Sequence, residues 1–190
     1  MISIVTTNPP RVLVPLANGF EEIEAITVID ILRRAGVEVV TAGVGAEVVE
    51  ASRKTRHVPD TTMEKAGDQG FDAIILPGGQ VGANHLKKDS MVRDCLLRHA
   101  RDGKWVAAIC AAPTVLQDIG LLAGRRATSH PSVRGELTGA QYVEERVVVD
   151  GRIVTSRAAG TAMEFAFKLV ELLRGSQSVA EVNQGVMAKL

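Results

Sequence analysis

Four short segments carry residue types suited to covalent chemistry on a small electrophile. In "KWVAAICAAPTVL" an apolar run ends at Cys110, and small residues with a proline follow. That order predicts a strand ending at the cysteine, then a tight turn into a helix opened by Pro113. At such a place a thiol stands at the carboxyl end of a strand, where open α/β sheets bind ligands. The helix start behind it offers amide donors and a positive dipole end, and both stabilise a thiolate. Thiol pKa values fall from about 8.5 toward roughly 3.5–7.5 in such surroundings, so Cys110 is expected to be a nucleophile at neutral pH. An inert core cysteine is the alternative.

A nucleophile needs a place for developing charge. "LPGGQVG" follows the apolar strand "DAIIL", and the amides near Gly78 and Gly79 can approach a ligand without side-chain obstruction. With the Ala111 amide they are expected to form an oxyanion hole, although an ordinary turn reads the same way. In "GFEEIEAITVID" the acids Glu21 and Glu22 suit a helix start, where they complement the dipole. Glu24 lies between Ile23 and Ala25 and one turn before Val28, so it is placed to point inward. There its proton affinity rises, and it can donate to a thiolate or relay a proton. His130 in "ATSHPS" follows another strand and is a third candidate, with a surface histidine before proline as the plain alternative. Cys95 shares a helical face with Met91, Val92 and His99 and reads as packing.

Elements must bring these segments to one edge. Short β-branched runs, "RVLVPL", "VEVVTAGV", "DAIIL" and "KWVAAIC", alternate with amphipathic stretches at Glu21 to Arg34 and Asn84 to Arg101. Parallel strands need long connections that pack back on the sheet, so the alternation predicts a doubly wound α/β layer. Gly36 and Gly103 fall where those helices need a left-handed terminal residue. "RVVVDGRIVTS" predicts a hairpin turning at Asp150 and Gly151. Thr161 to Leu173 reads as a helix, and a shorter one follows from about Val179.

At 190 residues the chain suits one domain, with residues 1–10 as a loose arm and 11–190 as the folded unit. Lys plus Arg and Asp plus Glu are both 22, so no polyanionic partner such as nucleic acid is expected. Two cysteines are too few for a disulfide framework, and CxxC and HExxH are absent, so neither a cysteine-based zinc site nor a zincin site is expected. GxGxxG and GxxxxGK[ST] are absent too, which argues against a nucleotide cradle. The first ten residues lack a signal-peptide pattern and no run reaches membrane-spanning length, so the expectation is a cytoplasmic protein.

Taken in order, "GFEEIEA", "ILPGG", "AAICAAPT", "SHP" and "TSRAAGT" resemble the ThiJ/PfpI superfamily, in the branch of the human Parkinson-disease protein DJ-one and its bacterial relatives. The resemblance runs over nearly all of Arg11 to Leu173. It implies a flavodoxin-like α/β/α sandwich with a nucleophile-elbow cysteine, and a homodimer. It assigns the reactive cysteine to Cys110, the hydrogen-bonded carboxylic acid to Glu24 and the nearby histidine to His130. Asp30 matches an acid that reaches the histidine across the dimer. Gly79 and Ala111 match the amide donors, while Arg33, Arg53 and Arg157 match arginines near the pocket and interface.

The chain departs from its relatives in places. It has "RAAGT" where the branch often has "RGPGT", and no cysteine at Ala51 or Val58. Ala111 stands where PfpI-type peptidases carry a histidine, and no downstream HxE pair of an amidotransferase exists, which argues against both activities. The implied function is a cofactor-independent enzyme converting α-oxoaldehydes such as methylglyoxal to hydroxy acids, or deglycating their early protein adducts. A redox-sensing stress protein or chaperone, whose cysteine is oxidised to a sulfinate, is the competing reading.

Overall fold

The computed structural model describes residues 8–67 and 69–189. Most of the arm expected at residues 1–10 lies outside the described residues. In chain order the elements are β1 (Arg11–Ala17), α1 (Glu22–Arg34), β2 (Glu38–Val44), β3 (Val49–Glu50), β4 (Arg56–His57), β5 (Thr61–Thr62), α2 (Met63–Ala66), β6 (Ala73–Leu76), α3 (Gln80–Lys88), α4 (Ser90–Arg101), β7 (Trp105–Ile109), α5 (Pro113–Asp118), β8 (Arg126–Ala127), β9 (Gln141–Tyr142), β10 (Val147–Asp150), β11 (Ile153–Ser156), α6 (Ala162–Arg174) and α7 (Ser176–Val186).

Seven strands form one sheet in the order β10-β11-β7-β6-β1-β2-β5. Every neighbouring pair is parallel except the β10–β11 hairpin at one edge. This is the mostly parallel α/β layering that the alternation of strands and helices predicts. Because side chains alternate across a strand, each central strand feeds two cores. Val12, Val14, Leu16, Ile75, Ala107 and Ile109 pack toward α1 and α6. Leu13, Ala17, Ile74, Leu76, Val106 and Ala108 pack toward α2, α3, α4 and α5. The strands are apolar on both faces for that reason, as "DAIIL" already suggests.

Three expectations are corrected in detail. The stretch expected to be helical from Asn84 to Arg101 begins at Gln80 and breaks at Asp89, whose backbone is extended. Its carboxylate accepts from Val92 N at 2.9 Å and caps α4, so a single periodic stretch holds two helices. The hairpin loop is Gly151 and Arg152 rather than Asp150 and Gly151, since Asp150 pairs with Ile153. Gly36 and Gly103 do follow their helices with positive φ. The last helix starts at Ser176, three residues before the expected Val179. No helix among the described residues is long and apolar enough to cross a membrane.

Candidate active site

β7 ends at Ile109, and Cys110 occupies the turn before α5 with φ of +67°, a left-handed conformation that non-glycine residues rarely adopt. Both main-chain groups of this residue are held. Its N–H donates to Ser156 O at 3.0 Å, and its carbonyl accepts from His130 N at 2.8 Å. Strained backbone persists only where the surroundings over-determine it, and these bonds from β11 and from the segment after β8 do that. Pro113 stands in the first turn of α5, as its fixed φ allows. The nucleophile elbow expected at Cys110 is therefore present.

Glu24 lies in the first turn of α1 and is almost wholly buried. Its Oε2 accepts from Gly78 N at 2.9 Å, while Oε1 is buried with no hydrogen-bond partner at normal geometry. Burial is the main cause that pushes this carboxyl up to about 7, opposed by its interaction with Cys110 and seconded by the charge of Glu21. Cys110 departs from expectation. Its thiol is pushed up to about 12, first by burial and then by the charge and hydrogen bond of Glu24, while the Gly79 and Ala111 amides pull it down. The sequence showed the amide donors but not how deeply the sulfur sits beside an acid.

Glu24 and Cys110 thus compete for one proton. With the proton on sulfur, Glu24 is a buried carboxylate; with the proton on Glu24, the thiolate faces two N–H donors and a helix start. These directions place the resting proton on sulfur, and moving it to Glu24 is uphill, although the move leaves the pair's net charge unchanged.

The two glycines of "LPGG" do separate jobs. A Cβ on Gly78 would lie 2.4 Å from Glu24 Oε2 and 2.6 Å from Cys110 Cβ, so glycine is what lets acid and thiol meet. Gly79 has φ of +84°, and a Cβ there would lie 2.4 Å from Gly19 O. That turn aims its N–H at the sulfur.

Cys110 and Glu24 open into a cleft of about 820 Å³ that also holds Gly79, His130, Arg53 and Ala159 on its walls. His130 Nδ1 accepts from Ser132 N at 3.2 Å, which leaves the neutral ring's proton on Nε2. Asp30, Arg33 and Arg157 are not brought into this cleft by the single chain. Asp30 pairs with Arg34 on the exposed face of α1, and Arg33 bonds Asp60 and Val39 O. Arg157 donates to Glu144 O. Ser52, Lys54 and Gln80 line the cleft without having been expected. No group of three or more His, Cys, Asp or Glu among the described residues is arranged to hold a metal ion.

A sequence model of the DJ-1/PfpI family matches residues 10–172. The chain belongs to the DJ-1/PfpI family. Among curated relatives it is 44% identical over 178 residues to Protein dj-1beta of Drosophila melanogaster, covering 92% of this chain and 95% of that one. The crystal structure of that fly protein superimposes with a TM-score of 0.94 at 42% identity, over 96% of this chain and all of the other. A Caenorhabditis elegans relative named glutathione-independent glyoxalase DJR-1.2 is 39% identical over 159 residues, 83% of this chain and 84% of its own. A structure of Toxoplasma gondii DJ-1, named as oxidized, matches with a TM-score of 0.92 and 37% identity, over 95% of this chain and all of that one. The family includes glyoxalase-type enzymes, and the sheet and layering here are those of its solved members.

Proposed function

We propose that this DJ-1/PfpI member is a cofactor-independent cysteine enzyme that converts methylglyoxal and similar α-oxoaldehydes to hydroxy acids without glutathione. The observation that carries the reading is the left-handed Cys110 elbow in the cleft, set against Glu24 across Gly78 and beside the Gly79 and Ala111 amides. The glyoxalase name of the nematode relative supports it.

In the proposed course, Glu24 holds the shared proton while the Cys110 thiolate attacks the aldehyde carbon. An S–C bond forms, and the aldehyde oxygen becomes an oxyanion held by the two amides. Glu24 gives its proton to that oxygen. Glu24 as carboxylate then removes the proton from the former aldehyde carbon, giving an enediolate, and returns it to the adjacent carbon while the hydroxyl proton on the former aldehyde oxygen passes to the neighbouring oxygen. The product is a thioester of lactate on Cys110. Water hydrolyses it to lactate and regenerates the thiol, so the sum is methylglyoxal plus water to lactate. His130 is assigned to orient the substrate or assist proton transfer through Nε2. Deglycation of early adducts follows the same path with an amine as leaving group.

The working form we propose is a homodimer, in which Asp30 on the exposed face of α1 reaches His130 of a second copy. A reducing cytoplasm, where free thiols persist, suits this chemistry. One observation favours a second reading as a redox sensor. The buried, unpartnered Oε1 of Glu24 can donate to a sulfinate formed when the thiolate consumes two peroxide equivalents and releases two waters.

The test is lactate formation from methylglyoxal without glutathione by wild type, Cys110→Ala and Glu24→Gln. Turnover by wild type and loss of at least about a hundredfold in both variants is the expected result, in line with removal of a nucleophile or a general acid–base group. Full turnover by Cys110→Ala overturns the enzyme reading.

A further inference from the structure

One wall of the cleft that holds Cys110 is a loop, Ala51 to Lys54, between β3 and β4. Its root is held by main-chain bonds, from Gly19 N to Glu50 O and from Ser52 N to Phe20 O, both 2.8 Å. Its tip is closed by main-chain bonds from Lys54 N to Ala51 O at 3.1 Å and from Ala51 N to Thr55 O at 2.9 Å, and is tied to α1 by one side chain. Glu22 Oε1 accepts from Arg53 N at 2.7 Å and from Thr55 Oγ1 at 3.0 Å, and Glu22 Oε2 accepts from Ser52 Oγ at 2.9 Å. Any acid in the first turn of α1 satisfies the helix dipole, but only a side chain of this reach meets three donors 30 or more residues away. Bonds to an ionised acceptor are also stronger than neutral ones. The same bonds keep the Glu22 carboxyl below its ordinary proton affinity against the opposing effect of burial.

What the loop presents is charge. Arg53 lines the cleft, and its guanidinium has no ion-pair partner among the described residues. Lys54 also lines it and is neutralised by Glu50 at 2.9 Å. Arg53 is therefore the cation of that wall available to an incoming ligand.

We propose that Glu22 is a positioning residue that fixes the 51–54 wall and so sets where Arg53 meets an anionic or strongly dipolar carbonyl ligand over Cys110. For turnover this rests on the enzyme reading above; for the geometry of the cleft it does not. The deciding experiment compares alkylation of Cys110 by iodoacetate, an anion, with alkylation by iodoacetamide, its neutral counterpart, mapped by peptide mass spectrometry. Wild type, Glu22→Gln and Glu22→Ala are measured side by side. Both variants remove the same charge. Glutamine still accepts from Arg53 N and Thr55 Oγ1, and its amide donates to Ser52 Oγ; alanine does none of this.

The expected result is an iodoacetate-to-iodoacetamide rate ratio within about twofold of wild type for Glu22→Gln and lower by about five- to tenfold for Glu22→Ala. Loss of a negative charge by itself moves both variants equally and upward, so equal ratios in the two variants overturn the proposal. With methylglyoxal, Glu22→Ala is expected to raise KM by about tenfold with kcat held within about twofold, and Glu22→Gln to restore KM. A fall in kcat at fixed KM overturns it as well. If wild type shows no turnover, the enzyme reading fails and the alkylation ratio still decides the role of Glu22. Should Glu22→Ala not fold, Thr55→Val removes one donor from the loop side and is read by the same ratio.

Discussion

Replacing Glu24 by glutamine makes the burial of its carboxyl measurable as a pH dependence of folding. The group rises from 4.5 in its ordinary state to about 7 in the folded chain. An acid with a raised folded value contributes stability that is fully present below 4.5 and is lost as pH rises through 7. At about 1.4 kcal/mol for each tenfold change in proton affinity, the loss is roughly 3 kcal/mol. Glutamine nearly matches the protonated acid in shape and cannot ionise, so the variant lacks this dependence. Urea unfolding of both proteins from about pH 4 to 8.5 is the assay. The wild-type free energy is expected to fall by roughly 3 kcal/mol relative to Glu24→Gln across that range. His99, whose proton affinity burial depresses, acts in the opposite direction but is common to both proteins and cancels in the difference. The raised Cys110 thiol acts only above its ordinary value of 9.0, outside the range. A flat difference curve would refute the account of Glu24 as a buried acid displaced by its surroundings.

The same substitution is expected to separate reactivity from catalysis. Glu24→Gln removes the neighbouring negative charge that helps hold the thiol up, so Cys110 alkylation by iodoacetamide at about pH 8 should quicken while lactate formation is lost; slower alkylation contradicts the coupling. Gly78→Ala forces a methyl between acid and thiol at 2.4–2.8 Å from three atoms, and is expected to cost about 2 kcal/mol, lowering Tm by roughly 4–8 °C. Gly135→Ala, with no heavy atom within 4 Å of the added Cβ, is the control, and equal Tm shifts in the two variants would count against the steric argument.

The strands were legible because burial on both sheet faces leaves unbroken β-branched runs between turn residues, as in "DAIIL". Cys110 was legible through its change of neighbours, from strand formers to small residues and proline. The break at Asp89 was hidden, since α3 and α4 keep helical periodicity on either side of it and only the Asp-Ser pair marks a new cap. The state of the thiol was hidden for a different reason. Amide donors can be inferred from a turn, but desolvation depends on how the 78–79 turn, the first turn of α1 and the segment at Ala159 close around the Cys110 and Glu24 pair. Glu22 read as a helix-dipole residue because its partners, Ser52, Arg53 and Thr55, lie 30 to 33 residues away and share no local pattern with it.

The Cys110 sulfur takes its hydrogen-bond donors from main chain, the amides of Gly79 and Ala111, and its backbone restraint comes from Ser156 O and His130 N. Side-chain identity in the outer wall, from Ser52 to Lys54, enters none of those bonds. The architecture is therefore modular: side chains of the wall can change while the backbone donors and restraints around Cys110 stay in place.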